Sequence, residues 1–188
     1  MIINERDSRR EQMLSVARQM MTAARTAPKG KGFDIVEIAA VSGEDEIQRL
    51  SDLTRQKGEK TGLKFMLRDA ENILQAEVIV LIGTRTKVQG LNCGYCGVAT
   101  CAEKLQNDAM PCAINMVDLG IAVGSAVATA ADLRVDTRIM FSVGFAIKEM
   151  GYLSDCHSIY AIPVSASSKN PFFDRKPREP QPEQKREI

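Results

Sequence analysis

The sequence predicts an α+β fold, a single layered structure in which helices and strands mix without a regular βαβ rhythm. Three observations carry that prediction. Helix-type and strand-type hydrophobic spacings follow one another irregularly along the chain. The run Glu77-Val-Ile-Val-Leu-Ile-Gly83 is short and apolar, of buried-strand type. The stretch from Ala113 to Ala130 carries a single charge, Asp118, and reads as a long core helix that is apolar all round.

In chain order, Ser8 followed by Glu11 has the spacing of a capping box at a helix start. Met13, Val16, Ala17, Met20 and Ala24 then recur at helical intervals, so residues 8–27 read as one amphipathic helix. Pro28-Lys29-Gly30-Lys31-Gly32 ends it in a flexible, positive loop. Residues 33–41 read as a strand bounded by Ser42-Gly43. Residues 44–57 form a second helix, acidic at its start and basic near its end, as the helix dipole favours. A third helix covers 63–75 and leads into the strand at 77–83. After the cysteine segment, 90–112, come the apolar helix, an amphipathic helix near 141–150 and a last strand at 159–164. Gly120 and Gly124, four apart on the apolar helix, point to close helix packing. Residues 1–175 are expected to form one domain containing the loop 90–112, and 176–188 a polar, proline-rich tail.

A chain of 188 residues buries a substantial core without disulfide staples. With 26% charged residues and a net charge of +1, it is neither disordered nor a protein that holds nucleic acid by net positive charge. The absence of Trp and an aromatic content of 5% also argue against stacking platforms for bases. The N-terminus, MIINERDSRRE, has no apolar signal core, and the apolar stretch has no matching aromatic belt. The expectation is a cytoplasmic chain with no membrane and no nucleic-acid partner.

Five cysteines are present, and four fall within twenty residues: Cys93, Cys96, Cys101 and Cys112. An odd, clustered count is unlike a secreted disulfide framework, and clustered thiols in a reducing compartment more often bind metal. The pattern is C-x2-C-x4-C-x10-C. A four-iron cluster needs four thiolates, three of which a tight loop supplies while a fourth returns from a neighbouring element. Gly94 and Gly97 each follow a cysteine and let the backbone turn closely, including through positive φ, with peptide N–H groups free to face sulfur.

Other readings compete. Structural zinc also accepts four cysteines, although zinc ribbons show two close pairs and this chain has one C-x2-C. Unliganded buried thiols fit poorly with glycine-interleaved clustering. A redox dithiol would leave Cys101 and Cys112 unexplained. The fourth ligand is Cys112 or Cys156, and nearness in sequence favours Cys112, with Cys156 a small buried hydrophobe. His157 is the single histidine, read as structural, and no Gly-x-Ser-x-Gly or phosphate-loop motif assigns a catalytic residue.

Cys-Gly-Tyr-Cys-Gly-Val-Ala-Thr-Cys, residues 93–101, resembles the four-iron module of ferredoxin-like electron-transfer subunits. With Asp118-Leu-Gly-Ile-Ala-Val-Gly-Ser125, Asp136-Thr-Arg-Ile-Met140 and Asn170-Pro-Phe-Phe-Asp-Arg175, the whole chain resembles a prokaryotic family of uncharacterised proteins containing a ferredoxin domain. The resemblance implies a [4Fe-4S] cluster on Cys93, Cys96, Cys101 and Cys112, and one-electron exchange with a redox partner. Ala23-Ala-Arg-Thr-Ala-Pro28, followed by a glycine loop and a strand, is similar to flavin-dependent nitroreductases. That similarity implies a mixed sheet flanked by helices, a homodimer, and flavin mononucleotide (FMN) at the dimer interface, so that the chain would be an oxidoreductase fed by the cluster. Basic residues such as Arg6 and Arg175 are of the type that could meet a flavin phosphate, and solvated surface charge is the alternative reading that the sequence favours for both.

Overall fold

The computed structural model describes residues 1–107 and 109–173. In chain order the elements are α1 (Glu5–Thr26), β1 (Val36–Ser42), α2 (Glu44–Thr61), α3 (Lys64–Ile73), β2 (Val78–Arg85), α4 (Cys101–Leu105), α5 (Ala113–Asp132), β3 (Asp136–Thr137), α6 (Phe141–Ile147) and β4 (Cys156–Ser165). The strands form one sheet in the order β1-β2-β4-β3. Every pairing is antiparallel, so the expected mixed sheet is not what forms. Two helices, α2 and α3, separate β1 from β2, and the chain re-enters the sheet at the end where it left, with Val78 paired to Ser42.

β2 explains why the sequence at 77–83 is apolar without alternation. Val78, Val80 and Ile82 face a core shared with α1 and α5, while Ile79 and Leu81 face a second core shared with α2, α3 and α6. Successive strand side chains point to opposite faces, and a strand covered on both must be apolar at every position. The result is three layers, helices on each side of the sheet. Each fully buried aliphatic side chain in them contributes about 1.5–3 kcal/mol. α6 lies so close to β4 that a Cβ on Gly144 would sit 2.0 Å from the Ile159 carbonyl oxygen.

Met13, Val16, Ala17, Met20 and Ala24 form the buried stripe of α1, as their spacing predicts. The helix starts earlier than the Ser8–Glu11 spacing indicates. Asn4 is the N-cap, its Oδ1 accepting from the Arg6 N–H at 3.1 Å, and Ser8 lies a turn inside, donating to the Asn4 carbonyl. The first strand also begins later than residue 33, because Gly30–Gly32 form a short 3-10 turn.

α5 departs from the expectation of a helix buried all round. Leu119, Ala122, Ala126 and Ala130 are fully buried and pack toward α1, but Val117 and Ile121 on the other side are 52% and 41% exposed. Among the described residues a Cβ on Gly120 or Gly124 would meet nothing within 4 Å, so helix packing against those residues does not require these glycines. α5 is long and apolar enough to cross a membrane, and here one of its faces is committed to the core. The tail at 176–188 lies outside the described residues.

Candidate metal centre

Beyond Arg85 the chain leaves the sheet and runs without regular structure to α4. Two contacts fix its course. The Lys87 N–H donates to Asn115 Oδ1 on α5 at 2.9 Å, and the Gln89 carbonyl accepts from Lys31 Nζ at 3.1 Å. The turns that follow use the left-handed region: φ is +47° at Asn92, +72° at Gly94 and +90° at Gly97. Glycine enters that region without strain and asparagine with little, so the cysteine-glycine spacing is a backbone requirement as well as a chemical one.

Asn92 closes the loop on itself. Its Oδ1 accepts from the Cys101 N–H at 2.8 Å, and its own N–H donates to Cys101 Sγ at 3.3 Å. Cys101 opens α4, whose N-cap is Thr100, with the hydroxyl accepting from the Glu103 N–H. The Glu103 carboxylate in turn accepts from the Ala99 N–H and the Thr100 hydroxyl. Cys112 stands at the N-cap position of α5.

These elements bring Cys93, Cys96, Cys101 and Cys112 to the wall of one narrow cavity, which Gln89, Asn92 and Lys104 also line. Cys93 is exposed, Cys96 and Cys101 are half-buried, and Cys112 is buried, so the cavity runs from the surface inward. Among the described residues, no three His, Cys, Asp or Glu side chains close on one point at the distance a single metal ion needs. The thiols wall a volume instead.

Cys156 is not part of this wall. It is buried in the α2–α3–α6 core, with Sγ 2.8 Å from where a Cβ on Gly83 would lie. Burial, helped by the Glu37 charge, pushes its thiol up to about 11. It therefore stays protonated at neutral pH, the form that neither ligates nor attacks. His157 has a partner, its Nδ1 lying 2.9 Å from Ser158 Oγ, in a separate cleft lined by Lys57, Phe141, Phe145, Lys148 and Tyr160. Arg6 is exposed in the first turn of α1, and Arg175 lies outside the described residues.

Three wall features escape the cysteine pattern. The capping-box spacing of Thr100 and Glu103 is present in the sequence and marks α4. The burial of Lys104 and of Gln89, each 2% exposed, has no local signal in the sequence.

A family profile described as "Uncharacterized protein containing a ferredoxin domain" matches residues 108–175. An uncharacterized protein of Archaeoglobus fulgidus is 41% identical over 186 residues, spanning 95% of this chain and 100% of its own length. Among solved structures, a BluB-like flavoprotein from Clostridium difficile 630 is similar with a TM-score of 0.58 at 16% identity, covering 89% of this chain and 85% of that one. A nitroreductase with bound FMN from Bacteroides fragilis also gives 0.58, at 11% identity, covering 93% and 86%. At these identities the likeness concerns the fold, which is nitroreductase-like.

Proposed function

As the chain belongs to the family of uncharacterized proteins containing a ferredoxin domain, we propose that it is an iron–sulfur redox protein whose Cys93, Cys96, Cys101 and Cys112 thiolates hold a [4Fe-4S] cluster. One observation carries this reading: four cysteines from two separate segments wall a single cavity, and the fifth is elsewhere. The donor chemistry fits. Four thiolates complete the set such a cluster takes, one to each iron, so they surround a volume. A lone zinc ion would instead draw all four sulfurs to about 2.3 Å from one atom.

When bound, the cluster supplies one-electron transfer and leaves no iron open to substrate. The chain's own residues do the rest. Gly94 and Gly97 bend the backbone around the cavity. Asn92 holds Cys101 in place through a hydrogen bond in each direction. Cys112 anchors the inner side to α5, and exposed Cys93 leaves an outer edge through which a separate redox partner exchanges the electron. The test is an anaerobic preparation of the full chain, with an absorbance spectrum and counts of iron, sulfide and zinc. About four irons with matching sulfide and a broad visible band are expected. Stoichiometric zinc without colour would replace this reading with a zinc-stabilised binding module that has no redox role.

A second reading adds FMN at an interface between two copies, making the protein an oxidoreductase whose flavin the cluster feeds. The observation in its favour is the exposed side of α5, with Val117, Ile121 and the open surface at Gly120 and Gly124, on a fold shared with an FMN-bound nitroreductase. Flavin fluorescence after denaturation, together with the mass in solution, tests it: one FMN per chain and a dimer support it, and a flavin-free monomer removes it.

A further inference from the structure

Two side chains on the wall of the cysteine cavity are unexplained by the fold. Lys104 is 2% exposed, and its ammonium donates to the Asn107 carbonyl at 3.1 Å. No ion pair involves it among the described residues. Burying an ammonium without an opposite charge is costly, and such lysines are rare unless paired. Gln89 is buried to the same extent, and among the described residues neither its Nε2 nor its Oε1 has a hydrogen-bond partner. Buried polar groups left unpaired in this way call for a missing partner. Both residues line the cavity that the four cysteines wall.

We infer that Lys104 is the counter-charge, and the Gln89 carboxamide a hydrogen-bond donor, for the anionic cluster held by Cys93, Cys96, Cys101 and Cys112, and that together they raise its reduction potential. The inference rests on the cluster reading above. Four thiolates leave the bound cluster negative, and reduction adds one more negative charge with no bond made or broken. A fixed ammonium in a water-poor wall attracts the more negative state more strongly. An N–H donated to cluster sulfur acts in the same direction. Neither residue touches a reacting substrate, so both are positioning and tuning groups.

The experiment is a redox titration of the anaerobically reconstituted full chain with dithionite and mediators, followed by absorbance and electron paramagnetic resonance. In Lys104→Met the reduced-to-oxidised ratio at a fixed potential should fall about tenfold, equivalent to about 59 mV for a one-electron couple. Gln89→Leu should lower it a few-fold, and Lys104→Arg should keep the wild-type value. Loaded Lys104→Met and Gln89→Leu proteins that both titrate like wild type would overturn the inference. Should Lys104→Met fold but take up no iron, loading of Lys104→Arg at the wild-type potential supports the counter-charge. Failure of both lysine variants to load would make Lys104 a packing residue instead. A wild-type chain that takes up no iron with sulfide fails at the cluster reading itself, a result separable from an unshifted titration.

Discussion

Along β2 the chain sets five consecutive apolar side chains, Val78 to Ile82, into two cores, whereas beyond Arg85 it leaves thiols at the surface and a buried amide that has no partner among the described residues. The strand is complete in itself, because each side chain meets others and each backbone group meets a neighbouring strand. The cysteine segment is held by a few polar contacts, at Asn92, Thr100 and Glu103, around a cavity. The contrast separates residues that stabilise the fold from residues that await a ligand, and mutations should divide accordingly.

The largest expected effect is on metal content. Cys101→Ala should abolish iron uptake, while the metal-free protein keeps its unfolding free energy within about 0.5 kcal/mol, as expected for a substitution outside the core. Metal analysis with urea denaturation checks both halves; a large loss of metal-free stability would mean the loop supports the fold. Leu81→Ala should do the reverse, costing about 2–5 kcal/mol in denaturation through the cavity it opens. Gly94→Ala places a side chain at positive φ, a strain of about 1–2 kcal/mol. It should speed iron release to a chelator, and an unchanged release rate would remove the backbone argument for that glycine.

A further effect is confined to alkaline pH. The Cys156 thiol is raised by burial from 9.0 to about 11, so the native state holds that proton more tightly than the unfolded chain. Its contribution is fully present below about pH 9 and is lost as pH rises toward 11. Denaturation across that window should show stability falling in the wild type, with a flatter profile in Cys156→Ala. Equal slopes would show that Cys156 is not the group responsible.

The same division explains what the sequence made legible. The stripe of α1 and the apolar run of β2 follow from periodicity, since burial on one face or on two leaves a distinct pattern. The four-cysteine spacing and the glycines at positive φ could also be read, because a tight turn around a cavity restricts residue types locally. The Ser8–Glu11 spacing sets the start of α1 too late because Asn4 and Ser8 both have capping side chains, and only the fold shows which one caps. The antiparallel sheet, the two-residue β3 and the outward side of α5 are set by contacts distant in sequence. So is the burial of Lys104, a residue type that sequence reasoning places in solvent.

The most direct test of the account compares iron and sulfide content in three anaerobic preparations: wild type, Cys112→Ala and Cys156→Ala. About four irons per chain are expected in the wild type and in Cys156→Ala, with loss of the intact cluster in Cys112→Ala. A Cys156→Ala protein that loses its iron while Cys112→Ala keeps it, or zinc as the sole metal in all three, would contradict it.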